Sequence, residues 1–116
     1  MVMEIKDQDY SVVYDEASAT ITCDGLMRLR GTEEYAPIVA LLDQVKDLAP
    51  ATITLDVQNL RFLNSSGINV LFKFVIDVRE LGKSELVVLG SSLVPWQGKS
   101  LKNLQRLMPQ LRLKFI

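Results

Sequence analysis

Two apolar periods alternate along this chain, and each dictates a different local structure. Ile38, Leu41, Leu42, Val45 and Leu48 recur at i, i+3, i+4, i+7 and i+10, which places them on one face of a helix. A second stripe, Ile68, Leu71, Val75 and Val78, is widened by Phe74 and Leu81, while Asn69, Lys73, Asp77 and Glu80 lie mostly away from it. Between the helical stretches lie short runs dense in β-branched residues: 10–15 (YSVVYD), 19–23 (ATITC), 52–57 (TITLDV) and 85–89 (ELVVL). Such runs favour strands.

The punctuation sets the boundaries. Glu16 and Ala17 are expected to turn between the first two strands, and Asp24 with Gly25 to break the second. The first helix is expected over residues 33–48. Gly31, Thr32, Glu33 and Glu34 supply a cap candidate and two acids for the positive end of its dipole. Pro37 fits only in a first helical turn, where no N–H is needed, so the regular helix is expected nearer Tyr35. Pro50 closes that segment, and the strand 52–57 should be central, with Asp56 near its functional end. A second helix is expected over 66–81, with Gly82 as its stop. Lys73 and Asp77 stand four apart on it, a surface pair worth roughly 0.2–0.5 kcal/mol. Residues 90–97 read as a loop, and Ser100 as the cap of a third helix facing inward through Leu101, Leu104, Leu107 and Met108. Pro109 stops it, and Leu111, Leu113, Phe115 and Ile116 then alternate with Arg112 and Lys114 as a last strand. The order β-β-α-β-α-β-α-β over 116 residues predicts one domain, 1–116, of α/β class: a mixed sheet of about four to five strands with helices packed on it.

Composition removes several functions. A hydrophobic content of 48% supplies a core and excludes a disordered chain. Net charge is −1 and the basic residues are scattered, apart from Lys99, Lys102 and Arg106. Nucleic acid, which needs clustered cations to displace counterions, is not an expected partner. There is no histidine, so no Ser-His-Asp or Cys-His arrangement exists and the common zinc sites are excluded. Cys23 is the lone cysteine. It permits no intrachain disulfide and reads as a small, inert strand residue. Gly98, Lys99 and Ser100 mimic the end of a phosphate loop, but Leu93 stands where its first glycine belongs. No metal, cofactor or catalytic residue is therefore expected, and the chain reads as a non-enzyme. Residues 1–9 are polar and lack the apolar centre of a signal peptide. No run approaches the ~18 apolar residues of a membrane span, so a cytoplasmic protein without direct membrane insertion is expected.

One segment carries a family resemblance. Asp56-Val57-Gln58-Asn59-Leu60-Arg61-Phe62-Leu63-Asn64-Ser65-Ser66-Gly67-Ile68-Asn69-Val70-Leu71 resembles the signature of STAS domains, found in sulphate transporters and anti-sigma factor antagonists. The family pattern is a buried strand ending in an acid, a short loop with an aromatic, then Asp-Ser-Ser-Gly opening a helix. The resemblance is specific over Ile53 to Leu71, and Gly82 matches the family's turn after that helix. It implies an anti-sigma factor antagonist that binds an anti-sigma factor with serine kinase activity. That kinase would phosphorylate Ser65, the first Ser of the pair, and a PP2C-type phosphatase would reverse the step. Asn64 stands where the family has Asp; it keeps the capping ability and lacks the charge. Residues 91–107, with Pro95, Trp96 and Gly98, also depart from the family's Ser-Pro-x-Val-x-x-x-Leu pattern.

The residues expected to meet the partner are Asp24, Asn64, Ser65, Ser66, Gly67 and Trp96. Helix capping alone accounts for a run of Asn and Ser before an apolar helix. A phosphate on Ser65 is compatible with that duty, because free N–H groups and the dipole stabilise an anion there. Asp24 reads equally as a turn residue, and Trp96 as an aromatic closing the core or as an interface anchor. The rival function is a STAS subunit of a membrane lipid transport system, acting as a structural partner without phosphorylation.

Overall fold

Strand β1 (Met3–Lys6) opens the computed structural model, which describes residues 3–116. It is followed by β2 (Tyr10–Asp15), β3 (Thr20–Met27), α1 (Gly31–Leu48), β4 (Thr52–Asp56), β5 (Leu60–Leu63), α2 (Ser65–Leu81), β6 (Glu85–Gly90), α3 (Gln97–Leu107) and β7 (Arg112–Phe115). The strands form one mixed sheet in the order β1-β2-β3-β4-β6-β7, with β5 paired to β3 off that path. β1, β2 and β3 are antiparallel, and β4, β5, β6 and β7 join by parallel pairing.

Period two on the strands and period 3.6 on the helices meet in a single core. Val12, Ile21, Ile53, Leu55, Leu86 and Val88 point to one face and are fully buried. The helices cover that face side by side, α1 against α2 and α2 against α3. Ile38, Leu41, Leu42 and Val45 of α1, and Leu71, Phe74, Val75 and Val78 of α2, are buried as their spacing requires. The central place of β4 between β3 and β6 is also as expected. Gly82 ends α2 in the left-handed conformation at φ 67°, which costs glycine least.

The α/β class and element order hold, but the sheet has seven strands, more than the expected four to five. β1 comes from the polar N-terminal segment, where charged Glu4 and Lys6 face outward and Met3 fills the core. That segment was read from Met1, and Met1 and Val2 lie outside the described residues. Asp24 and Gly25 do not break the second strand: β3 runs through them to Met27, first along β4 and then, past a register shift at Gly25/Leu26, along β5. β5 extends the path of β4 after the bend at 57–59, and it is long-range pairing to β3 that makes it a strand.

Helix starts also differ. α1 begins at Gly31, so Pro37 stands inside it. The proline removes the N–H that would reach the Glu33 carbonyl, and both residues are exposed, so solvent serves that carbonyl. Thr32 makes no cap. The Glu34 carboxylate instead accepts the Arg30 backbone N–H at 3.0 Å. α3 begins at Gln97, three residues before Ser100.

The bend between β4 and β5 needs outside donors. Gln97, fully buried, donates through Nε2 to the Val57 carbonyl at 2.6 Å and the Leu60 carbonyl at 3.1 Å. Its Oε1 accepts the Ser91 backbone N–H at 2.7 Å. Trp96 Nε1 donates to the Leu60 carbonyl at 2.7 Å. Each such bond is worth about 1 kcal/mol, and the Val57 carbonyl also accepts the Leu60 N–H at 3.0 Å. The turn that delivers the chain into β5, and from there into α2, is therefore anchored by the start of α3.

Cys23 sits in this core, and burial, with smaller contributions from Asp24 and Asp56, pushes its thiol up from 9.0 to about 12. A thiol whose folded pKa exceeds its unfolded value favours the fold below the unfolded pKa and loses that preference as pH rises toward the folded one. Stability measured by urea unfolding is expected to fall between pH 9 and about 12. A Cys23→Ala variant should show a shallower fall over that window, and an equal slope would contradict the assignment.

Candidate functional site

The sheet's parallel strands β3 and β5 end beside each other, Met27 opposite Leu63. The chain leaves β5 at Asn64 and enters α2 at once. Asn64 is extended, at φ −80° and ψ 176°, and is the N-cap. Its Oδ1 accepts the Gly67 backbone N–H at 3.0 Å and the Tyr35 hydroxyl at 2.7 Å. Its Nδ2 donates to the Leu29 carbonyl at 2.7 Å. One amide group thus joins the start of α2 to α1 and to the segment between β3 and α1.

This geometry explains Asn in place of Asp. A carboxylate would keep the bonds from Gly67 and Tyr35 but set a second acceptor against the Leu29 carbonyl. The amide supplies the donor that site requires. Tyr35, unmarked in the sequence reading, is almost fully buried in α1, and burial raises its pKa. Its phenol O–H remains a donor at neutral pH. Only its place on the apolar stripe of α1, three residues before Ile38, signalled it in the sequence.

Gly67 is fixed by space. A Cβ there would lie 2.2 Å from Leu63 Cδ1 and 2.6 Å from the Tyr35 hydroxyl oxygen. Any larger residue would push apart the contact that aligns Tyr35 with Asn64.

The serines stand outside this network. Capping falls to Asn64, not to either serine. Ser65 is the first residue of α2 and is exposed. Ser66 is half-buried and lines a groove of about 530 Å³ between α1 and α2. The walls of that groove include Tyr35, Ala36, Ala40, Val70 and Phe74, and its far end carries Asp43, Lys73 and Asp77. Lys73 and Asp77 pair at 2.9 Å.

Asp24 and Trp96 take no part in the Asn64 network. Asp24 is in mid-strand, opposite Ser11 and three residues short of the Met27 end. Its Oδ1 is buried without a hydrogen-bond partner. Trp96 is half-buried against the core, its indole N–H committed to Leu60. The structure thus brings together Asn64, Ser65, Ser66 and Gly67, sets Trp96 beside Ile68 of α2, and leaves Asp24 in mid-strand. No group of three or more His, Cys, Asp or Glu residues suited to a metal ion occurs among the described residues. No helix among them is long and apolar enough to cross a membrane.

No family model matches the chain, and no curated protein matches it. Solved structures share its fold. SiaC of Pseudomonas aeruginosa superposes with a TM-score of 0.74 at 11% identity, over 100% of this chain and 98% of that one. Apo-SiaC from the same organism gives a TM-score of 0.72 at 9% identity, over 98% of each chain. A chain in the crystal structure of the diguanylate cyclase SiaD in complex with its activator SiaC, also from P. aeruginosa, gives 0.72 at 12% identity, over 97% of this chain and 98% of that one. At these identities the likeness is one of fold.

The division of labour between Asn64 and Ser65 is measurable. Asn64→Ala removes a cap worth about 1 kcal/mol, takes the donor from the Leu29 carbonyl and leaves the Tyr35 hydroxyl only the Met27 carbonyl at 3.5 Å, at a further cost of about 1–2 kcal/mol. Denaturant unfolding should place that variant about 2–3 kcal/mol below the native protein and Ser65→Ala within about 0.5 kcal/mol of it. Similar losses in both would mean that the serine shares the capping duty.

Proposed function

We propose that this chain is a STAS-type regulatory protein of the anti-sigma factor antagonist kind, which acts by binding a protein partner and is switched by phosphorylation of Ser65. It performs no chemistry of its own. The observation that carries this reading is the exposed Ser65 hydroxyl at the first position of α2, next to a residue that already makes the cap. Such a hydroxyl is available to a kinase without disturbing the fold.

The step itself belongs to the partner. An anti-sigma factor with serine kinase activity transfers the terminal phosphoryl group of ATP to Ser65 Oγ, the hydroxyl proton is lost and ADP leaves. A PP2C-type phosphatase returns the serine by hydrolysis. The phosphate brings about −1.5 to −2 charges to a helix start whose N–H groups and dipole accommodate an anion. The fold is kept, and the partner meets a surface of changed charge.

The fold likeness supports a second choice of partner. SiaC is described as the activator of the diguanylate cyclase SiaD, so a cyclase is the other partner class for a chain of this shape. Both partners share one mode of action, a small α/β protein docking on a signalling enzyme.

Co-purification from the native cell with wild type, Ser65→Ala and Ser65→Asp chains tests the reading. One signalling enzyme is expected with wild type and Ser65→Ala, and at least about tenfold less of it with Ser65→Asp, as befits an introduced charge in an interface. Its identity, kinase-type anti-sigma factor or diguanylate cyclase, decides between the partners. Equal recovery of one set of membrane transport subunits by all three chains would overturn the switch and favour a scaffold role.

A further inference from the structure

Three arginines stand on the two chain segments that meet at Asn64, the residue before Ser65. Arg28 and Arg30 lie in the segment between β3 and α1, and Arg61 lies in β5. All three are exposed, and none takes part in an ion pair among the described residues. The site network holds the backbone that carries two of them against Asn64, the cap of α2. The Asn64 backbone N–H donates to the Met27 carbonyl at 3.3 Å, and its side chain to the Leu29 carbonyl at 2.7 Å. Arg28 and Arg30 flank that second carbonyl, so both side chains start beside the residue that precedes Ser65.

Phe62 adds an apolar platform. It is 43% exposed, unusual for a phenylalanine in a strand, and the Arg28 guanidinium carbon lies 5.7 Å from its ring centroid. A guanidinium held over an aromatic face keeps its N–H fork free for a carboxylate or phosphate. Acids stand near by placement as well: Glu33 and Glu34 in the first turn of α1, with Glu34 turned back on the Arg30 N–H, and Asp9, whose carbonyl accepts the Leu26 N–H.

We infer that Arg28, Arg30 and Arg61, with Phe62, form the docking surface for an acidic segment of the protein partner, and that a phosphate on Ser65 displaces that segment by taking the same guanidiniums. The inference rests on the regulatory reading of Ser65 and names how that switch would act. Charge complementarity selects the occupant. The patch is cationic on a chain whose net charge is −1. It also has an aromatic beside it, which matches carboxylates carried with apolar side chains. A nucleic acid would require an extended basic stripe. Bidentate guanidinium pairing gives either anion geometry as well as charge, so phosphate and carboxylate compete for one set of donors.

The test uses the full chain, unmodified and with phosphoserine installed at position 65 during synthesis, and a short peptide rich in Glu and Leu as probe. NMR of the labelled unmodified chain should show the peptide shifting the amides of residues 28–30 and 61–67. Affinity should fall by about tenfold or more in the R28Q/R30Q variant and in the phosphorylated chain. Phosphorus NMR should place the second ionisation of the phosphate below its ordinary value of about 6, and it should rise in phosphorylated R28Q/R30Q, because the nearby cations that favour the dianion are gone. Both replaced residues are exposed, and a dispersed amide spectrum confirms that the variant folds. A peptide that leaves these amides unmoved, a phosphate indifferent to the arginines, or an RNA oligomer that binds there in preference to the peptide would each overturn the inference. Because the phosphate is installed directly, a cell that never modifies Ser65 would refute the regulatory reading and leave these results standing.

Discussion

The arrangement at the head of α2 depends on one side-chain amide. Asn64 accepts from Gly67 and Tyr35 and donates to Leu29, so α2, α1 and the exit from β3 share a single node. Each bond satisfies a polar group wholly or partly withdrawn from solvent, which gives the node its energetic weight. The node is supported from below. Gly67 gives the Tyr35 hydroxyl room to reach Asn64. Gln97 and Trp96 hold the bend that brings β5, and hence Asn64, to the end of the sheet.

Concentrating the structural duty in Asn64 frees its neighbour. In many helices a serine at this point caps, and modifying it would unfasten the first turn. Here Ser65 lies one residue inside the helix, exposed, with its backbone in place whatever its hydroxyl carries. A charge added there changes what the surface binds before it changes what the chain folds into.

Much of this was legible in the sequence, for physical reasons. The apolar stripes of α1 and α2 are local patterns, and the core is built from them. The Asn64 to Gly67 run also declared itself, because caps are made from adjacent residues. What stayed hidden depends on distant ones. β1 reads as a charged tail until Met3 and Ile5 are seen against β2. β5 reads as a loop until it pairs with β3, and Asp24 with Gly25 reads as a strand break until β5 gives that stretch a partner. Gln97 looks like an ordinary loop residue, since nothing nearby in sequence reveals that it serves carbonyls at Val57 and Leu60. Tyr35 is three residues before Ile38 on the α1 stripe, but its bond to Asn64 spans 29 positions.

The central claim is that Ser65 accepts a charge without structural loss. Calorimetric unfolding of the chain phosphorylated at Ser65, beside the unmodified chain, tests it most directly. An equal or higher Tm is expected for the phosphorylated form, since the helix N–H groups and dipole favour the anion. A Tm lower by roughly 5 °C or more, about 1 kcal/mol for a domain of this size, would contradict it and return Ser65 to the framework of the fold.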